Sequence, residues 1–142
     1  LHLAASTALW QSHKKPKRLN DLKDLPTVGY VQDMIFDKEL DYLEPLGLRR
    51  VQLASNSISV QMNLLRQGAG LGIVHDFALP FAPELRRILT EHLSLTRSFF
   101  LIRSTDDRHN RRLNQFAQVL VSGLRAEIQR LEALAEEPCG QI

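Results

Sequence analysis

The sequence of 142 residues holds a single cysteine, Cys139, so no disulfide can form within the chain and no thiolate metal cluster can be built from it. It lacks any run of about 18 apolar residues, the least that spans a bilayer as a helix. Its opening Leu-His-Leu-Ala-Ala-Ser is too short, and too polar downstream, to be a signal h-region. It lacks a charge excess as well. The 18 Lys+Arg against 16 Asp+Glu leave +2, too little to make nucleic acid or an anionic membrane an obligatory partner. His2, His13, His75, His92 and His109 show no HxxxH or HxH spacing with a carboxylate suited to zinc. There is no Gly-x-Ser-x-Gly elbow or comparable pairing of nucleophile and base. These absences lead us to expect no catalytic residue, no metal and no cofactor, in a non-enzyme with no membrane partner and a reducing, cytoplasmic home.

What remains is an ordinary globular composition, 44% hydrophobic and 24% charged, of a length that suits one domain. The chain opens on Leu1 rather than Met, which suggests a piece of a longer protein. Residues 1–5 suit a strand. Ser6 or Thr7 can cap the turn through Leu9 and Trp10. The basic stretch at 13–24 reads as a solvated loop broken by Pro16, with one helical turn at 19–25 ended by Pro26. Residues 27–31 have strand composition. An acidic helical segment is expected over 37–46, and a half-buried strand over 49–54.

The most regular unit follows. Ser55-Asn56-Ser57 offers N-caps to a helix whose apolar stripe is Ile58, Met62 and Leu65, widened by Val60 and Leu64. Gln67-Gly68-Ala69-Gly70 ends it, and Leu71-Gly72-Ile73-Val74 is a short buried strand. The glycines come after a helix and before a strand, the reverse of a dinucleotide fingerprint. Strand, helix, glycine turn and strand make a βαβ unit, so the sheet should be at least partly parallel. Residues 85–95 are ambiguous between helix and strand, 98–103 suit a strand, and 108–134 a long helix with Leu113, Phe116 or Ala117, Leu120, Leu124, Ile128, Leu131 and Ala135 on one stripe. The last residues, 136–142, read as a frayed tail.

Ligands of α/β sheets gather beyond the carboxyl ends of the strands. Three polar clusters fall there: Tyr30, Val31, Gln32 and Asp33; Ser55 and Asn56; His75 and Asp76. Ser55-Asn56-Ser57 also opens a helix, whose free N–H groups suit an anion such as a carboxylate. Plain N-capping is the simpler use of the same residues.

Ala54-Ser55-Asn56-Ser57, the apolar residues 60–65 and Gly68-Ala69-Gly70-Leu71-Gly72-Ile73-Val74 together resemble the second effector subdomain of LysR-type transcriptional regulators. Leu3-Ala4-Ala5-Ser6 with Leu9, then Leu19-Asn20-Asp21-Leu22 and the strand at 27–30, are similar to that family's preceding stretch. Residues 98–103 and the helix over 108–134 look like the strand and helix that return to the first subdomain. Two departures stand out: Val74-His75-Asp76 replaces a leucine-proline pair, and Lys14-Lys15 replaces a glycine.

The resemblance implies an α/β, periplasmic-binding-protein-like (type 2) subdomain with a mixed, mainly parallel sheet flanked by helices, plus a long C-terminal helix. Residues 1–103 would form effector-binding subdomain II, with hinge strands at 3–6 and 100–103, and residues 104–142 the helix and tail of a first subdomain. The eight residues named above would be one wall of an inter-subdomain cleft for a small-molecule co-inducer. DNA would be contacted only through an N-terminal helix-turn-helix. In this bacterial family the assembly would be a dimer, and the apolar stripe of the long helix points to self-association. Two alternatives stay open: the ligand-binding lobe of a solute receptor for an importer, and a small α/β enzyme using His75 or Asp76.

Overall fold

A computed structural model describes residues 1–35, 42–43, 46–48 and 51–136. In chain order the strands are β1 (His2–Ser6), β2 (Val28–Gly29), β3 (Leu53–Ala54), β4 (Leu71–Val74) and β5 (Leu85–Arg87), and the helices are α1 (Ile58–Arg66) and α2 (Arg111–Glu136). Short 3-10 turns link them, at Thr7–Gln11, Leu19–Asp24, Gln32–Met34, Asp76–Phe81 and Thr105–His109.

Strand β1 is the axis. Leu3, Ala4 and Ala5 are all fully buried although successive side chains of a strand point to opposite faces. Leu3 and Ala5 join one core with Leu9, Leu22, Leu43 and Leu71, while Ala4 joins a second with Val28, Leu65, Val74 and Leu85. Each fully buried leucine contributes roughly 1.5–3 kcal/mol.

The expected mainly parallel sheet is not what the described residues form. β1 pairs antiparallel with both β4 and β5, in the order β4-β1-β5. The parallel part is the β2–β3 pair and a single bridge from Thr27 to Leu71, where the Leu71 N–H donates to Pro26 O at 2.9 Å. The βαβ reading survives within it, since α1 joins β3 to β4 and both run parallel to β2. The antiparallel excess comes from β1, which lies between β4 and β5 and runs against both.

Several local expectations meet the structure. Ser6 Oγ accepts from the Ala8 N–H at 3.1 Å. Gly68 takes φ +75 at the end of α1, where L side chains are strained. The long helix starts at Arg111 rather than near 108 because Asn110 caps it, its Oδ1 accepting from the Leu113 N–H at 3.2 Å.

Others differ. Residues 98–103 pair with no strand among the described residues, and Phe99, Phe100 and Ile102 are 70, 82 and 89% exposed. Their composition favours an extended chain, but a strand needs a partner edge. On α1, Leu65 and Gln61 are buried while Ile58 and Val60 are exposed, so the helix is turned to seat Gln61, whose Nε2 donates to Ser55 O at 2.6 Å. On α2 only Leu131 is buried. Leu113, Phe116 and Leu124 of the expected stripe are exposed, because only the far end of the helix packs, against the Asp76–Phe81 turn and the second core. The expected helix over 37–46, strand over 49–54 and tail over 136–142 fall partly outside the described residues, and Glu136 of that tail is the last residue of α2.

The glycines of the αβ turn have a packing reason. A Cβ on Gly70 or Gly72 would sit 2.7 Å from Pro26 O or Val28 O, backbone atoms of the adjacent strand segment that cannot step aside. Gly72→Ala should destabilise the chain by about 1–3 kcal/mol. Gly123 of α2 has open space around it, so Gly123→Ala should stabilise by up to about 1 kcal/mol. Urea unfolding of the two variants against the parent chain checks both signs.

Candidate functional site

Because β3, β2 and β4 run parallel, their carboxyl ends share one edge. The structure ties two of the three polar clusters together there. The Val31 N–H donates to Asn56 Oδ1 at 3.2 Å, and Asn56 Nδ2 reaches Met34 Sδ at 3.4 Å. The turn at Gln32–Met34 is thereby held against the entry to α1. Ser55 Oγ accepts from the Ser57 N–H at 3.1 Å, and its carbonyl takes Gln61 Nε2. Gln32 and Asp33 are exposed, Tyr30 and Val31 half-buried. The Tyr30 ring lies 6.3 Å from that of Tyr42, and burial, then the neighbouring Tyr42, raises its pKa.

The third cluster splits. His75 leaves β4 toward the same edge, its ring stacked on Phe77 with centroids 4.9 Å apart and 5.5 Å from that of Phe99. Asp76 goes the other way. Its carboxylate is buried and takes His2 Nδ1 at 2.8 and 2.9 Å, with the Leu1 nitrogen 3.1 Å from Oδ2. An ionised carboxylate only accepts, so His2 Nδ1 carries the proton. Burial pushes the Asp76 carboxyl up, but the hydrogen bonds from His2 and the Leu1 nitrogen outweigh it and leave the pKa below the usual value. His75 is lowered, first by burial, against an opposing pull from Asp76.

The His75, Phe77 and Phe99 rings separate two hollows. On one side lies a polar cavity of about 350 Å³ that includes His2, Asp76, Arg87, Arg97 and Glu132 in its wall. On the other lies a cavity of about 230 Å³ between α1, the end of β4 and the following turn. Phe77, Phe99 and Gln61 were not legible as site residues. The Phe99-Phe100 pair suggests a strand, and nothing local tells which helix position will face inward. Among the described residues no group of three or more His, Cys, Asp or Glu is placed to hold a metal ion, and no helix is long and apolar enough to cross a membrane.

Polar side chains at the ends of parallel strands, beside a hollow, occupy the place where α/β sheets collect small-molecule ligands. The family model of the LysR substrate binding domain matches residues 1–125, and the chain belongs to that family. The family carries with it a periplasmic-binding-protein-like fold, of which the mixed α/β unit and long C-terminal helix are the described parts. Comparison with the curated proteins and with the solved structures gave no match.

The lowered His75 pKa sets a sign for the pH dependence of stability. Between the folded pKa and the unfolded value of 6.5 the unfolded chain binds more protons, so stability rises with pH across that window and is lost as pH falls through it. Asp76 acts lower down: its contribution is present above 3.8 and is lost as pH falls through its lower folded value. His75→Phe should flatten the rise that lies below pH 6.5 and leave the acid limb in place. Urea midpoints measured across pH would show it.

Proposed function

We propose that this chain is the effector-sensing part of a LysR-type DNA-binding transcriptional regulator, non-enzymatic and cytoplasmic, binding a small-molecule co-inducer. The observation that carries the reading is the shared strand edge within the family match, where Tyr30, Val31, Asn56 and His75 come from three chain segments to one rim. That rim is one wall of an inter-subdomain cleft. Gln32, Asp33 and Ser55 belong to it, while Asp76 supports it through His2 rather than meeting the ligand.

Residues 1–103 form the second effector subdomain, and 104–142 belong with the first. The exposed apolar residues of 99–102 and of α2 support that division, because faces this apolar are covered in a working protein. In the 142-residue chain by itself the same apolar faces favour self-association. Effector binding shifts the balance between subdomain arrangements only by its differential affinity for them, and DNA is read by a helix-turn-helix domain.

In a regulator that carries this domain, Asn56→Ala and His75→Ala should each raise the inducer concentration for half-maximal reporter response at least about tenfold, with operator affinity little changed. An unchanged dose response in both would overturn the assignment of this rim. The 142-residue chain alone, at +2, should show no operator-selective binding by fluorescence anisotropy. Tight, sequence-selective binding would place DNA recognition within this chain.

A further inference from the structure

The cavity of about 230 Å³ beside α1 differs in chemistry from the rim above it. Its wall is Ile58, Met62, Leu65, Ile73 and Val74 on one side and the His75, Phe77 and Phe99 rings on the other, with Gln61 as the amide. Gln61 already spends its Nε2 on Ser55 O. Among the described residues no Lys, Arg, Asp or Glu lines this hollow. Asp76, Arg87, Arg97 and Glu132 line the polar cavity instead.

We propose that this cavity takes the ring of a small uncharged aromatic molecule, stacked against the His75, Phe77 and Phe99 wall. Calling the occupant the effector, or the effector's ring, rests on the sensing role proposed above; the cavity's selectivity does not. The volume suits it, since an apolar cavity of about 150 Å³ already holds a benzene-sized ring. The three rings stand at 27, 40 and 60° to one another, so an inserted ring meets both a face and an edge, the arrangements that aromatic quadrupoles favour. Charge argues for the same class. A carboxylate in this hollow would lose its water and find no cation, a cost far above the gain of burying its ring. The carboxylate expected from the helix N-terminus is therefore not the group this cavity selects.

The test uses the full chain with indole and benzoate as probes, followed by saturation-transfer NMR and by the His75 ring-proton shift at about pH 7.5, where benzoate is ionised. Indole should bind saturably and move the His75 signal, and benzoate should bind at least about tenfold more weakly. Met62→Trp, which fills the cavity, and Phe99→Ala, which removes an exposed ring of its wall, should each weaken indole at least about tenfold. Phe99 is 70% exposed, so its alanine variant keeps the fold and decides the matter if the tryptophan variant does not fold. Benzoate as tight as indole, no saturable indole binding, or indole binding untouched in the folded variants would each overturn the inference. None of these would disturb the reporter response to Asn56→Ala, which tests the sensing role separately.

Discussion

Burial of β1 on both faces is the constraint on which the rest of this structure depends. A strand covered on one side could alternate apolar and polar residues, but here Leu3, Ala4 and Ala5 all lose contact with water, and β1 contributes to both cores. The alanines matter as much as the leucine. Small side chains on alternate faces let the Thr7–Gln11 and Leu19–Asp24 turns close down on one side and α1 on the other. Both hydrogen-bonding edges of β1 are used as well, by β4 and β5. Its position fixes β4, and β4 fixes β2 through the glycine contacts at Pro26 and Val28.

The edge that carries the polar residues inherits its geometry from that chain of contacts. β2 and β3 are two residues each, too short to hold their places by ladder bonds alone. Their register is supported from the side: Thr27 N and Oγ1 both engage Gln52 Oε1, and the Ser55 N–H donates to Gly29 O at 3.0 Å. The Gln52 side chain at one end and a backbone bond at the other thus continue the pairing where the strands stop. That leaves the loops beyond β2 and β3 defined in place yet free of a packed core, a suitable arrangement for a ligand rim.

How much of this could be read from the sequence depended on whether the deciding contact was local. β1, α1, the Gly68 turn and β4 were legible because periodicity, capping and the φ demand of glycine act within a few residues. The clusters at Tyr30–Asp33 and Ser55–Asn56 were legible too, as strand ends in a βαβ frame, and their juxtaposition follows from topology. The sheet's balance was not, because the direction of β5 beside β1 is a long-range choice. Residues 98–103 mark the same limit. β propensity describes an extended chain, and only a neighbouring edge turns it into a strand. Gln61 shows the converse, a polar residue drawn inside by one carbonyl, Ser55 O, that no pattern of hydrophobicity announces.

His75 and Asp76 sharpen the point, since the sequence presents them as one polar pair and the structure gives them opposite duties. The backbone leaves β4 at Val74 and enters a 3-10 turn at Asp76, so adjacent side chains depart from opposite sides. Asp76 faces back along the sheet and meets His2 on β1, the neighbouring strand. His75 faces outward into the ring cluster with Phe77 and Phe99. One turn therefore grips the central strand with one residue and lines the apolar cavity with the next. The anchor is charged and hydrogen-bonded to the strand that organises both cores, whereas the cavity wall is aromatic and half-buried. The residue that lines the cavity and the residue that holds β1 are thus joined by a single peptide unit.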